Sequence, residues 1–221
     1  MQSDHLSGAQ PIEKQARASL SSPLSGKIGG RNFPLVPTML NHAAWVTTDM
    51  AATADFYTRI LGMEIANVMV DDHIPSTGEP FPHFHLFFRM ADGSTVAFFE
   101  APGLPPEAKP THPAYELFNH FAMQVDTPAD VHRWQEWLLH NGLEVVGPTD
   151  HKGAIYSIYF HDPNGIRLEL TAPQTPQWNT QADKGRRALA QWTQVKERAL
   201  AEGKDVGKEL LALTSKVKSE F

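Results

Sequence analysis

The sequence predicts an α+β protein in which two βαβββ modules pair into one open, barrel-like mixed sheet, with the helices outside and further helices at the C-terminus. Two observations carry that prediction. The segment Leu40-Asn41-His42-Ala43-Ala44 returns 78 residues later as Phe118-Asn119-His120-Phe121-Ala122. After each copy the same succession follows: a Thr/Asp turn, a helical period closed by glycine, and three short strands. A single such module leaves one sheet face bare, so pairing two of them is the direct way to build a domain.

Taken in order, residues 1–36 are rich in Ser, Gly, Pro and Gln, lack a sustained period, and read as an N-terminal arm. The paired domain spans 37–172, with modules at 37–102 and 114–172. In the first, Thr48 is the candidate N-cap of a helix over 51–61, Gly62 closes it, and strands follow at 63–70, 84–90 and 94–101. In the second, Thr127 caps a helix over 129–141, Gly142 closes it, and strands follow at 143–148, 154–160 and 165–171. The Pro-rich stretch 102–113 joins the two. Residues 173–221 form a helical extension, where Leu189, Trp192, Val195 and Ala199, then Val206, Leu210, Leu211 and Leu213, make two amphipathic helices. Their apolar stripe is expected to pack on the body or on a second subunit, which predicts a homo-oligomer.

Composition removes several function classes. The 221 residues are 41% hydrophobic and 20% charged, as in an ordinary globular chain able to bury a core without staples. There is no cysteine, which excludes disulfides, thiolate zinc sites, iron–sulfur ligation and a cysteine nucleophile, so any metal must sit on nitrogen and oxygen. The net charge is −6, and residues 182–220 carry nine Lys/Arg against six Asp/Glu, which leaves the body distinctly acidic. No nucleic-acid partner is expected of such a surface. With no apolar run of membrane-spanning length and no secretory leader in the first residues, the protein is expected in the cytoplasm, without a membrane partner.

The chemistry is read from the repeat. His42 and His120 occupy equivalent strands, so pseudo-symmetry is expected to bring them to one place. In the last strand Ile166, Leu168 and Leu170 share one face and Arg167 and Glu169 the other. Two imidazoles and one carboxylate on one side of an ion leave its other side open, which suits non-haem Fe(II) or Mn(II). Asp162-Pro163-Asn164-Gly165 is a tight turn that sets the register of the Glu169 strand.

The run from His151 through Ile155-Tyr156, Ile158-Tyr159 and Asp162-Pro163-Asn164-Gly165 to Glu169 resembles the ring-cleavage signature of type I extradiol dioxygenases, within the vicinal oxygen chelate superfamily. That superfamily also holds glyoxalase I and antibiotic-resistance binding proteins, and the resemblance covers roughly residues 38–172. It is closest to compact one-domain extradiol enzymes. The resemblance implies His42, His120 and Glu169 as metal ligands, His151 as acid/base and Tyr159 as a hydrogen-bond donor to substrate. It further implies a catechol-type aromatic substrate cleaved with dioxygen, with Fe(II) first and Mn(II) next as metal. A catechol must lose a proton to chelate, and histidine is the side chain suited to take it. Phe81, Phe84, Phe87, Phe98 and Tyr156 supply aromatic surface in the same region.

Two features depart from that family pattern. Glu100, in Ala97-Phe98-Phe99-Glu100, reads as the counterpart of Glu169, and glyoxalase I-like members place a fourth protein ligand there. With four protein ligands an octahedral ion suits isomerase or lyase chemistry, with Ni(II) or Zn(II). The second departure is at Ala91-Asp92-Gly93-Ser94-Thr95, where extradiol enzymes carry an additional histidine and this chain has none. His83 and His85, on one face of the preceding strand, are the alternatives. A non-catalytic small-molecule binder is the third function class.

Overall fold

In the computed structural model, which describes residues 27–28, 31–32, 37–105 and 112–217, the α+β class holds and the repeat becomes two four-stranded mixed sheets. Most of the arm read over 1–36 lies outside the described residues. Its described part is a two-residue antiparallel pair, β1 (Lys27–Ile28) with β2 (Arg31–Asn32).

The first module runs β3 (His42–Val46), α1 (Met50–Asp55), a wider-wound turn over Phe56–Ile60, β4 (Glu64–His73), β5 (Pro80–Arg89) and β6 (Thr95–Glu100). A short helix, α2 (Pro113–Phe118), leads into the second: β7 (Phe121–Gln124), α3 (Pro128–His140), β8 (Val146–Asp150), β9 (Ile155–His161) and β10 (Arg167–Pro173). The strand orders are β3-β6-β5-β4 and β7-β10-β9-β8, with β3∥β6 and β7∥β10 parallel and the other neighbours antiparallel. The topology is thus duplicated strand for strand. Each module contributes its own four-stranded mixed sheet, and among the described residues the two sheets share no ladder.

Local chemistry explains most of the boundaries. Thr127 caps α3 in a reciprocal box with Asp130, as its hydroxyl accepts from the Asp130 backbone and the Asp130 carboxylate accepts from the Thr127 N–H. The cap of α1 is Asp49 rather than Thr48, because the Asp49 carboxylate accepts from the Ala52 N–H at 2.9 Å. Gly62 and Gly142 close the two module helices at φ 71° and 79°, a backbone region that a Cβ disfavours. Helix α2 was hidden by the prolines around it. Pro113 occupies its first turn, where no N–H is needed, and His112 accepts from Ala114 as the cap.

The helix-facing sides of both sheets merge into one core that includes Tyr57, Phe88, Val96 and Phe98 from the first module and Val131, Leu138, Ile158, Phe160 and Leu168 from the second. Trp45 meets Phe121 edge to face at 5.4 Å across the two modules. The Asp162–Gly165 turn does more than set register. Asn164 accepts from Thr47 at 2.7 Å and donates to Thr53 at 3.2 Å, and Asp162 accepts from the Tyr57 hydroxyl at 3.2 Å, all on the other module. Burial raises the Asp162 carboxyl above its ordinary pKa, while its bonds to Asn164, Ile166 and Tyr57 oppose that rise.

The C-terminal helices α4 (Ala182–Ala201) and α5 (Val206–Val217) pack on one another. With Lys152 of the β8–β9 turn, their residues Trp192, Leu213 and Val217 line a cavity of about 290 Å³. Among the described residues no helix is long and apolar enough to cross a membrane.

Candidate metal centre

The two-residue period of β10 decides which side chains can do chemistry. Leu168, Leu170 and Ala172 point into the core, so Arg167, Glu169 and Thr171 face the opposite way. Glu169 pairs with Tyr159 of β9 on one side and with Ala122 of β7 on the other, and His120 stands two residues before Ala122 on that same face. His120 Nε2 lies 2.8 Å from Glu169 Oε2.

The hydrogen bonds orient this pair for a cation. His120 Nδ1 is 2.8 Å from the Phe118 carbonyl, which can only accept, so Nδ1 carries the proton and Nε2 turns toward the carboxylate. An imidazole held through its far nitrogen by a backbone carbonyl is the usual arrangement behind a metal-ligating histidine. Glu169 is 2% exposed, and its second oxygen, Oε1, is buried with no hydrogen-bond partner. A buried carboxylate with an unmatched oxygen is costly unless a positive charge joins it. His120 and Glu169 therefore fit a divalent ion by their nitrogen–oxygen donor set, their orientation and their unmet charge.

Tyr159 and His151 border the pair. The Tyr159 hydroxyl is 2.8 Å from His151 Nε2, its ring stands edge-on to His120 at 5.8 Å, and the Arg167 guanidinium lies 4.3 Å above the ring. Burial, with the Glu169 carboxylate next, holds the Tyr159 phenol above its ordinary pKa, so it keeps its proton. His151 is carried on a tight turn in which Lys152 adopts φ 57° and Asp150 accepts from the Gly153 N–H at 2.6 Å. Four of the side chains the sequence selects, His120, Glu169, Tyr159 and His151, thus share one face of the second module.

His42 does not join them within one chain. It opens β3 on the first module's sheet, exposed, with Nδ1 2.7 Å from Asn41 Oδ1. Among the described residues the one group of three or more His or acidic side chains with ligand atoms within 4.8 Å of one another is Asp71, Asp72 and His73, all exposed. The expected convergence of His42 with His120 and Glu169 is corrected accordingly. The physical reason is that the modules meet through their helix-facing sides, as Trp45 against Phe121 shows, while both histidines lie on the opposite faces.

The placement of Glu100 also differs from the sequence reading. In the paired registers His42 aligns with Thr95 and Ala44 with Ala97, whereas Ala122 aligns with Glu169, so the register counterpart of Glu169 is Ala97. Glu100 lies three residues on, with Val96 and Phe98 on the helix side, and its carboxylate accepts from the Met50 N–H at 2.7 Å. There it caps the start of α1, where a negative charge is favoured. The Phe98-Phe99 pair before it hid the slip, since both faces of β6 read as apolar.

On the first module the His42 face carries a residue whose setting sequence spacing does not reveal. His85 is 6% exposed, and its Nε2 is buried with no hydrogen-bond partner. Burial, reinforced by His42 and His83, pulls its pKa down to about 4. His83 sits beside it with Nδ1 2.8 Å from the Phe81 carbonyl.

Duplicated βαβββ modules with a His–carboxylate pair on the open face define a recognisable class of small-molecule protein. The chain belongs to the Glyoxalase/Bleomycin resistance protein/Dioxygenase superfamily, whose model matches residues 39–170. It is 25% identical over 138 residues to a Bacillus subtilis (strain 168) protein named "Putative ring-cleaving dioxygenase MhqA". That match takes in 61% of this chain but spans only 40% of the relative's length. A glyoxylase/bleomycin resistance protein/dioxygenase domain from Frankia sp. EAN1pec superposes with a TM-score of 0.50 at 16% identity, covering 62% of this chain and 99% of that one. The fosfomycin resistance protein FosX of Listeria monocytogenes, in a mutant form complexed with Mn(II) and 1S,2S-dihydroxypropylphosphonic acid, superposes at 0.47 and 21% identity, covering 66% of this chain and all of that one.

Proposed function

We propose that the protein is a metal-dependent extradiol dioxygenase of a catechol-type aromatic, acting in the cytoplasm, with Fe(II) ahead of Mn(II) as its metal. The observation that carries the reading is the buried Glu169 carboxylate, one oxygen on His120 and the other unmatched, beside the Tyr159–His151 pair. His120 and Glu169 hold the ion together with His42. When bound, the metal supplies a positive charge that acidifies a chelating hydroxyl and brings two reactants together. Tyr159, kept protonated, donates a hydrogen bond to the substrate, and His151 takes up the substrate proton and returns it later. Arg167, stacked on Tyr159, keeps that ring in place.

His42 reaches this site from a second copy of the chain. The first module's sheet ends in an exposed apolar edge strand, with Ile65, Val68, Met69 and Val70 of β4 between 46% and 74% exposed, and Met69, paired with His85, lies on the His42 face. Phe118, beside His120, is 77% exposed. Such surfaces are characteristic of association. A two-fold pairing in which each copy lends His42 to the other's His120 and Glu169 covers both and completes two equal sites.

The test has two parts. Dioxygen uptake is measured on protein loaded anaerobically with Fe(II) or Mn(II) and given catechol or 2,3-dihydroxybiphenyl; uptake with a yellow ring-opened product, lost in His120→Ala, is expected. Mixing His42→Ala with His120→Ala chains should then restore about a quarter of the wild-type metal sites, since half the dimers are mixed and each of those has one intact site. Metal binding without uptake across a catechol panel removes the dioxygenase reading, and no restoration on mixing removes the shared site. Against the isomerase alternative, with Ni(II) or Zn(II) and Glu100 as fourth ligand, stands the bond of the Glu100 carboxylate to the Met50 N–H.

A further inference from the structure

Among the described residues three buried side-chain polar atoms lack a hydrogen-bond partner: Glu169 Oε1, His85 Nε2 and Gln191 Oε1. Two of the three therefore lie on the open faces that carry the implied ligands, one per module. The first is accounted for by a cation. The second calls for its own explanation, because a buried nitrogen without a hydrogen-bond partner is destabilising.

Packing does not require an imidazole at this position. His85 lies flat on Phe99, centroids 3.5 Å apart at 18°, with Phe87 at 4.1 Å, a slot that a phenyl or leucyl side chain would also fill. In the second module the equivalent register position is Ser157, whose hydroxyl is satisfied by Thr171 at 2.8 Å. The unmet group is thus a property of the His42 wall and not of the fold. The ring of His42 stands 6.1 Å from that of His85 at 67° and forms part of its cover, so a molecule drawn to His42 arrives beside this nitrogen.

We propose that His85 is a substrate-binding residue: through Nε2 it donates a hydrogen bond to an oxygen of the molecule held next to His42. The inference rests on the metal-site reading given above and extends it to a residue outside the implied ligand and acid/base set. It assigns the first module's wall a polar contact in an otherwise aromatic lining of Phe87 and Phe99, which suits a planar ring bearing oxygen substituents.

The full-length protein is compared with His85→Phe, which keeps the stack and removes the nitrogens, and with His85→Gln, which restores a polar group. Loaded with Mn(II) and titrated optically with 4-nitrocatechol, His85→Phe should bind about tenfold more weakly than wild type and His85→Gln within about threefold of it. All three should bind Mn(II) alone with equal affinity by electron paramagnetic resonance. Equal 4-nitrocatechol affinity in wild type and His85→Phe overturns the proposal and leaves His85 as packing. Loss of Mn(II) in His85→Phe, with an unchanged urea midpoint, also overturns it, by making His85 a ligand. If Phe is not accepted at this position, His85→Leu takes its place with the same expected outcomes. Wild-type protein that binds no Mn(II) brings down the metal reading and His85 with it, whereas wild type that binds Mn(II), loses it in His120→Ala, and takes no 4-nitrocatechol overturns the substrate contact alone.

Discussion

The open faces of the two modules are built on the same ladder and have opposite character. Where the second presents Glu169, Tyr159, Ser157 and Thr171, the first presents, position for position, Ala97, Phe87, His85 and Phe99. The histidine that opens each module and the alanine two residues on, Ala44 and Ala122, are common to both walls. Duplication therefore supplied two equal frames, and the chemistry came from dressing them differently: one wall holds charge and protons, the other offers rings and a small alanine floor. A flat oxygenated molecule placed between such walls has its oxygens and its carbon skeleton sorted by the surfaces themselves.

The comparison is broken most severely at Glu169. Glu169→Gln should weaken Mn(II) binding by more than about a hundredfold, beyond the usual effect of outer-shell changes, while Glu100→Gln leaves it unchanged; isothermal titration of both variants checks this. Next in size is His151→Ala, expected to lower ring-cleavage turnover about a hundredfold with Mn(II) affinity intact, read from oxygen-electrode rates beside metal titrations. Ala97→Glu makes the plain wall resemble the charged one. It should tighten Mn(II) and lower dioxygen uptake at least about tenfold, because a fourth protein ligand removes a position that the reactants need.

The smallest effect concerns the joint between the modules. The folded Asp162 carboxyl has a raised pKa, so the folded protein holds that proton to higher pH than the unfolded chain does. Ionisation is then less favourable in the folded state, and this group's contribution to stability falls as pH rises from the unfolded pKa through the folded one. Asp162→Asn removes that dependence. Urea unfolding between pH 3 and pH 7 should show the variant gaining on wild type as pH increases, whatever its absolute stability.

Much of this was legible in the sequence for a physical reason: a period-two strand and a glycine-closed helix are local patterns. Both glycines, the Thr127 cap and the faces of β10 follow from neighbours in the chain. The assignments that failed depend on distant contacts. That His42 and His120 are equivalent is written in the repeat, but whether they meet depends on which faces the modules press together, and Trp45 against Phe121 settles that across 76 residues of chain. The register of Glu100 is not readable from the chain, because alternation within Phe98-Phe99-Glu100 cannot be phased without the partner strands. His85 stands in the sequence only beside His83 as one of two alternatives, and nothing there separates the two, since a missing hydrogen bond is invisible in a list of residues.

The hydrogen bonds of Asn164 to Thr47 and Thr53 have a mechanical meaning. Glu100 grips the start of α1, Thr47 and Thr53 at that same helix end grip Asn164, and Asp162 grips the first residues leading into the Glu169 strand. The two walls are thereby riveted through one short linkage, so their relative setting is stamped once into each chain. In an assembly of identical copies each slot lies between the open wall of one chain and that of another, so the copies' contact sets its width, while this linkage sets the angle at which every chain offers its two walls.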